Sequence, residues 1–476
     1  MNLSRIIERW AHQAPGRTAL HFQGEDLSYA NLWARTEHVT RQLSALGIAK
    51  RERIAFLGHN HPEMLALLFA ASRIGALLVP LNWRLTVHEH KVIFADCLPK
   101  VLFFEPDFDA HAAELPVDTR ARLGEDLPEA EPALAGEDED EVLIVYTSGT
   151  TAAPKGAVLS QSALIWNGYN SIHAHDLRQS DHVLSSLPMF HVGGLNNQTL
   201  PALLAGATVT LQKRFEPGQW LADVAERKPT LSLLVPATMR AVISHPDWAR
   251  TDLSSLRMLN TGSMVVPVSL IRAFHDRGVP VGQIYGATET APLAAVLMAH
   301  DAYAKPGSAG KAALHCEVRL ADGGEVQVRG PNVMRGYWND PQATRAAFAE
   351  DGWFRTGDLG RWDAEGFLWI DGRSKDLIIS GGENIHPAEL ENVLADCPAI
   401  AECAVIGIED PKWGESPCAV VVRKSGATLD SAGVLALFDG RLARYKHPQR
   451  VVFADSLPKN AMGKVQKFEL RKLLGV

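Results

Sequence analysis

The strongest constraint on the fold of this chain is an alternation of strand-length apolar runs with helical periods early in the sequence. Residues 53–58 read as a strand, 62–73 as a helix, 76–82 as a strand, 87–95 as a helix and 101–105 as a strand. Strand and helix alternating in this way predict a doubly wound α/β layer. The most apolar stretch, 64–81, carries Arg73 and the turn residues Gly75 and Pro80, so it parses as helix then strand and not as a membrane span. The first ten residues read as an amphipathic helix, interrupted by charge every few residues, with no signal-peptide core. A cytoplasmic location is expected.

With 476 residues, 46% of them hydrophobic, the chain exceeds the size at which one core stops growing. Between 307 and 372 the texture shifts to short strands with Gly-rich turns, as in 325–330 and 366–372, which predicts a small β module closing a large first domain. After Gly372 a second pattern follows, with strands near 404–408, 418–423 and 450–453 and a helix near 432–442. The expected fold is therefore α/β: a large multi-layer N-terminal domain, 1–372, with a small β module, and a small α+β C-terminal domain, 373–476. The acidic, Pro- and Ala-rich stretch 125–141 reads as a solvated surface connection.

The net charge of −8 argues against nucleic acid as the main partner, whereas a nucleotide needs only one basic cleft. The five cysteines, Cys97, Cys316, Cys397, Cys403 and Cys418, form no C-x-x-C pair and cannot all pair, so reduced thiols are expected. His88-Glu89-His90 and His173-Ala174-His175 lack metalloprotease spacing and read as surface features.

The segment from Tyr146 through Thr147, Ser148, Gly149, Thr150, Thr151, Ala152, Ala153 and Pro154 to Lys155 and Gly156 follows an apolar strand and concentrates hydroxyls, glycines and a lysine. Hydroxyls and backbone N–H groups suit phosphate oxygens, and Lys155 adds positive charge. It is not a Walker A loop, and alone it reads equally well as a polar loop. Gly307-Ser308-Ala309-Gly310-Lys311 also lacks the Walker spacing and reads as a turn.

That strand and loop resemble the signature of the adenylate-forming superfamily of acyl-CoA synthetases, luciferases and peptide-synthetase adenylation domains. The resemblance recurs in order along nearly the whole chain. It includes Leu187-Pro188-Met189-Phe190-His191-Val192-Gly193-Gly194, Asn260-Thr261-Gly262-Ser263 and Tyr285-Gly286-Ala287-Thr288-Glu289. Gly336-Tyr337-Trp338, Arg355-Thr356-Gly357-Asp358 and Asp371-Gly372-Arg373-Ser374-Lys375-Asp376 follow. The last are Gly381-Gly382-Glu383-Asn384 and Leu457-Pro458-Lys459-Asn460-Ala461-Met462-Gly463-Lys464.

The resemblance implies an ATP-dependent acyl-CoA synthetase, with ATP, Mg2+ and coenzyme A taking part. In that chemistry a carboxylate attacks the α-phosphate of ATP, so cations and oriented donors are required. By resemblance, Thr147 to Thr151 hold the β- and γ-phosphates, Thr288 contacts the α-phosphate and Glu289 anchors the magnesium ion. Tyr285 would stack on adenine, Gly262, Ser263 and Gly286 line the nucleotide pocket, and Asp358, in a tight turn, and Arg373 hold the ribose. Lys464 would bridge the carboxylate and α-phosphate. The family rotates its mobile C-terminal domain about the position of Lys375, presenting Gly381, Gly382, Glu383 and Asn384 to coenzyme A. His191 would shape the acyl site beside Val192, Gly193, Thr261, Ile284 and Ala291.

These uncharged residues imply a monocarboxylic acid with an apolar body, medium- to long-chain fatty or aryl. Family members that take malonate carry arginine just before Tyr-Gly, where this chain has Ile284. Ala152 departs from a usual family glycine, which restricts the loop's backbone. Two rival readings stay open: loading of a carrier-protein phosphopantetheine, and nucleotide binding without turnover.

Overall fold

The computed structural model describes residues 2–147, 154–264, 266–381, 383–460 and 463–475. Strands Arg53–Leu57, Leu77–Leu81 and Val101–Phe104 run parallel and are joined by helices Pro62–Ile74 and Val87–Cys97. Helix Pro62–Ile74 starts with proline where a missing N–H costs nothing, and it stops at Gly75, whose φ of +76° suits a residue without a side chain. Its flanks are apolar nearly all round because it is enclosed in the molecule. Thr86 and Glu89 form a capping box that starts the next helix.

These strands belong to a seven-stranded sheet that also holds Glu141–Thr147, Lys155–Ser160, Thr119–Arg122 and Gly336–Tyr337. A nine-stranded sheet is built around the parallel strands Thr208–Leu211, His182–Ser185, Leu231–Leu233, Met258–Gly262 and Val281–Tyr285. One core joins the two sheets: Ile54, Phe56 and Leu143 from the first and Leu20, Val209 and Met258 from the second meet helices Leu3–Gln13, Tyr29–Ala45 and Pro62–Ile74. Helices Pro217–Arg227, Pro236–Ile243 and Val268–His275 cover the outer face of the nine-stranded sheet. Helix Val87–Cys97 covers that of the seven-stranded one.

A four-stranded antiparallel module, Glu317–Leu320, Glu325–Arg329, Phe354–Trp362 and Leu368–Arg373, packs through Val326 and Leu368 on the Tyr285 end of the nine-stranded sheet. The hairpin Ile400–Asp410/Gly414–Arg423 anchors the C-terminal sheet, and along the other edge of Gly414–Arg423 pair both the hairpin Ile378–Ser380/Glu383–Ile385, near Gly414, and the parallel strand Arg450–Phe453, beside Cys418–Val421. Among the described residues no helix is long and apolar enough to cross a membrane.

Four sequence expectations are corrected. The helix expected over 432–442 is only Ser431–Ala436, because the chain turns before Gly440, which sits at φ +70°. His90 is buried, not at the surface, its Nε2 3.1 Å from the Asn82 carbonyl oxygen, and burial lowers its pKa to about 4. His175 is likewise buried. Asp358 lies within strand Phe354–Trp362 and not in a tight turn; the preceding Gly357, at φ +69°, supplies the local kink.

Candidate active site

Open α/β sheets bind ligands beyond the carboxyl ends of their strands, and the expected residues gather there. Strands Met258–Gly262 and Val281–Tyr285 pair in register, Asn260 opposite Gly282 and Gly262 opposite Ile284. The pleat therefore sets Asn260, Gly262, Gly282 and Ile284 on the inner face and Thr261, Gln283 and Tyr285 on the outer. The expected acyl residues Thr261 and Ile284 thus point to opposite sides of the sheet. A side chain at Gly262 would come within 2.4 Å of the Ile284 carbonyl oxygen, so glycine is required for the two strands to approach.

After Tyr285 the chain turns sharply. Gly286 has φ +156°, and a Cβ there would lie 1.6 Å from the Pro292 carbonyl oxygen. Thr290 Oγ1 accepts from the Ala287 N–H at 2.9 Å and donates to the Pro292 carbonyl at 2.7 Å. Asn332 Nδ2 donates to the Thr290 carbonyl at 2.6 Å. This turn holds Thr288 buried and Glu289 half-buried at the strand end.

Four groups converge beside it. The Tyr285 hydroxyl donates to Asp358 Oδ2 at 2.9 Å, and Arg373 Nε lies 2.7 Å from Asp358 Oδ1. Arg373 Nε has no directed hydrogen bond, so the latter is a close charge contact. Asp358 and Arg373 face each other across strands Phe354–Trp362 and Leu368–Arg373. The fourth group is Lys464: burial and the Arg373 guanidinium lower its pKa to about 8, while Asp358 and Asp376 oppose the shift. The loop carrying it touches the large domain, since a Cβ on Gly463 would lie 3.2 Å from the Ala237 Cβ. Lys464 is fixed locally by its N–H to Asn460 Oδ1 at 3.0 Å.

On the other side of the turn, the Tyr337 hydroxyl donates to Glu289 Oε1 at 2.7 Å, and Lys155 Nζ lies 5.3 Å from the Tyr337 ring centre. Strand Gly336–Tyr337 reaches this position by pairing with Lys155–Ser160. Thr147 and Lys155 face each other at the mouth of the hairpin. Ser148, Gly149, Thr150, Thr151 and Ala152 lie outside the described residues, as does Gly382.

His191 caps the short helix Val192–Gly194, its Nδ1 accepting from the Gly193 N–H at 3.0 Å. Burial lowers its pKa to about 4, so the ring is neutral near pH 7, with its proton on Nε2. Val192, Thr261, Ile284 and Ala291 are buried. Ser263 and Ala291 both hold positive φ, +70° and +63°, a strained backbone that clusters at functional sites.

Lys375 occupies the single turn Ser374–Asp376 joining the β module to the C-terminal sheet. Beyond it Glu383 and Asn384 are exposed on the hairpin, and the Gly381 N–H donates to the Trp413 carbonyl at 2.7 Å. The Gly336-Tyr337-Trp338 motif has no evident role in sequence alone; the Tyr337 contact with Glu289 supplies one. Sequence reasoning missed Asn332 altogether, for which no local signal existed.

The fold is that of the adenylate-forming, AMP-binding enzymes. Residues 7–338 match the AMP-binding enzyme family and residues 389–464 the AMP-binding enzyme C-terminal domain, and the chain belongs to this family. It is 51% identical to an indoleacetate–CoA ligase of Aromatoleum aromaticum, covering 100% of this chain and 98% of the relative. It is 42% identical to a feruloyl-CoA synthase of an Amycolatopsis species, covering 98% of each. Among solved structures, ATP-bound MatB from Rhodopseudomonas palustris superposes with a TM-score of 0.91 at 32% identity over 99% of both chains.

Proposed function

We propose that this chain is an ATP-dependent acid–CoA ligase acting on monocarboxylic acids with an aromatic, apolar body. The observation that carries the reading is the convergence of Lys464, from the C-terminal domain, on the Tyr285–Asp358–Arg373 cluster of the large one. A mobile ammonium there suits two converging anions. In the first half-reaction the acid's carboxylate oxygen attacks the α-phosphorus, the bond to the bridging oxygen breaks and pyrophosphate leaves. Lys464 and Thr288 stabilise the charge that builds on the α-phosphate. On this reading Asp358 and Arg373 would hold the ribose, and Lys155, at the hairpin end, would meet the outer phosphates.

Tyr337 holds one oxygen of Glu289, leaving the other as the oxygen ligand a magnesium ion prefers. That ion would supply charge neutralisation for the departing pyrophosphate. In the second half-reaction the coenzyme A thiol gives its proton to solvent, its sulfur bonds to the acyl carbonyl carbon, and the bond from that carbon to the phosphate oxygen breaks so that AMP departs. Lys464 must withdraw for this, by rotation of the C-terminal domain about Lys375, bringing Gly381 to Asn384 to the site. The cytoplasm, where thiols stay reduced, suits five free cysteines.

Free coenzyme A as acceptor is supported by the two relatives, each named for a CoA thioester. The same names, with the apolar residues Leu187, Leu233 and Ile284 packed together behind the site, support an aromatic acid. A second carboxylate buried among them without a cation would be penalised heavily. The test is an acid panel with ATP and magnesium, offering coenzyme A or a holo carrier protein. Indole-3-acetate, ferulate, octanoate, palmitate, malonate and succinate are compared by kcat/KM. Aromatic acids with coenzyme A should lead, and a preference for a dicarboxylate or for the carrier would refute the assignment.

A further inference from the structure

Behind His191 the segment Leu195–Thr199 winds as a π-helix, a form that recurs at functional sites. Its outward swing brings Gln198 and Thr199 over the inner face of the nine-stranded sheet. There Ser185, Ser186, Leu187, Gly193, Gly194, Gln198, Thr199 and Leu233 enclose a cavity of about 10 Å³, room for one water-sized group. It adjoins the acyl surface, because Leu187 and Leu233 pack in one cluster with Ile284, and Gly193 belongs to the turn that His191 caps.

The polar groups of this cavity divide into two sets. Ser185 Oγ and Thr199 Oγ1 pair at 2.6 Å, and Thr199 Oγ1 also reaches the Gly194 carbonyl at 2.7 Å. Ser186 Oγ and Gln198 Oε1 have no partner, although the residues are only 1% and 2% exposed. The Gln198 amide is placed by its other end: Nε2 donates to Asn260 Oδ1 at 2.8 Å and lies 3.5 Å from the Ser232 carbonyl. With Nε2 on the Asn260 side, Oε1 is the end of the amide left as an acceptor. A buried amide oxygen without a donor costs free energy, and here the missing donor is one that a ligand can bring.

We infer that Gln198 is a specificity-determining residue of the acid site, accepting a hydrogen bond from an N–H or O–H carried on the aromatic body of the substrate. Ser186 Oγ, which can donate or accept, completes the recess. The class so defined is an aromatic acid with one ring-borne donor distal to its carboxylate, whether a pyrrole-type N–H or a phenolic hydroxyl. This inference rests on the aromatic-acid reading above and adds the polar discrimination that an apolar pocket alone cannot provide. A pocket built to satisfy a hydrogen bond rejects an analogue lacking it far more strongly than apolar walls reject a missing methylene.

The experiment compares acids of matched shape, read by kcat/KM for acid-dependent ATP–pyrophosphate exchange. Indole-3-acetate is set against benzothiophene-3-acetate, and 4-hydroxyphenylacetate against 4-methylphenylacetate. The wild-type enzyme should favour the donor-bearing member of at least one pair by about 10²-fold, and the pair that shows it identifies the donor as N–H or O–H. In Gln198→Met the preferred pair should level to within about threefold, with the donor-free acid gaining absolute rate as the unfilled acceptor disappears. Equal kcat/KM for both members of both pairs in the wild type overturns the assignment. So does retention of the discrimination in Gln198→Met. Turnover of octanoate with none of the four aromatic acids would instead fell the aromatic reading, and this inference with it.

Discussion

Lys464 shows how much a single side chain can owe to its surroundings. In the sequence it is one lysine among Lys459, Lys464 and Lys467; in the structure it alone is placed beside Arg373, and burial with that neighbouring charge brings its pKa down to about 8. An ammonium that must be protonated to bridge two anions then loses function as pH rises through that value. We therefore expect kcat/KM for ATP–pyrophosphate exchange, which reports the free enzyme, to fall above about pH 8. Lys464→Ala should lack this limb and lose about 10²-fold in the exchange, while thioester formation from supplied acyl adenylate survives. Equal loss in both assays would assign the lysine a structural role. Tyr337 makes a different prediction. Its hydroxyl aims the Glu289 carboxylate, so Tyr337→Phe should raise the magnesium concentration giving half-maximal rate by about tenfold with little change in melting temperature. An unaltered magnesium requirement would detach Glu289 from the metal.

Elements were legible where local chemistry decides them. Helix Pro62–Ile74 announces itself by a proline at the start, a glycine at the stop and an apolar run between, and the expected span 62–73 misses it by one residue. The helix expected over 432–442 failed because an apolar period continues past the point where Gly440 turns the chain. Burial of polar residues left no trace: His90 and His175 are core residues through tertiary contacts that no spacing encodes. The pairing of Asp358 with Arg373 was equally invisible, since both were singled out by motif but only sheet register sets them opposite each other. The turn after Tyr285 is the element most tightly specified, with Gly286 closed in by the Pro292 carbonyl. Gly286→Ala must push that turn open, moving Thr288 and Glu289 together. It should cut adenylation at least about 10²-fold, the scale on which misplacement by about an ångström acts, and lower the melting temperature. Wild-type exchange kinetics in this variant would show that the turn does not position the reacting groups.

At the scale of the whole molecule, the two domains meet in an arrangement suited to the first half-reaction. The Gly463 loop lies on Ala237, and Lys464 is beside Arg373 and Asp358. Meanwhile strands Ile378–Ser380 and Glu383–Ile385 are held in their own sheet, with the Gly381 N–H on the Trp413 carbonyl. A lysine engaged at the α-phosphate and a thiol arriving at the same acyl carbon exclude each other, so one active site can run both steps only if the small domain turns between them. The connection capable of this is short: the β module ends at Arg373, and strand Ile378–Ser380 begins the C-terminal sheet. Rotation must be absorbed by the backbone angles of the residues between, among which Lys375 is central. Proline fixes φ near −65°, so Lys375→Pro should hold the enzyme in one arrangement and separate the half-reactions. ATP–pyrophosphate exchange should stay within about threefold of wild type, while overall thioester formation falls by about 10²-fold, the scale of a lost conformational step. Lys375→Ala, which leaves φ free, should retain both activities and exclude a simple loss of the lysine charge. If Lys375→Pro forms thioester at the wild-type rate, the pivot lies elsewhere; if it loses exchange as well, the turn is needed to build the first arrangement and not to leave it.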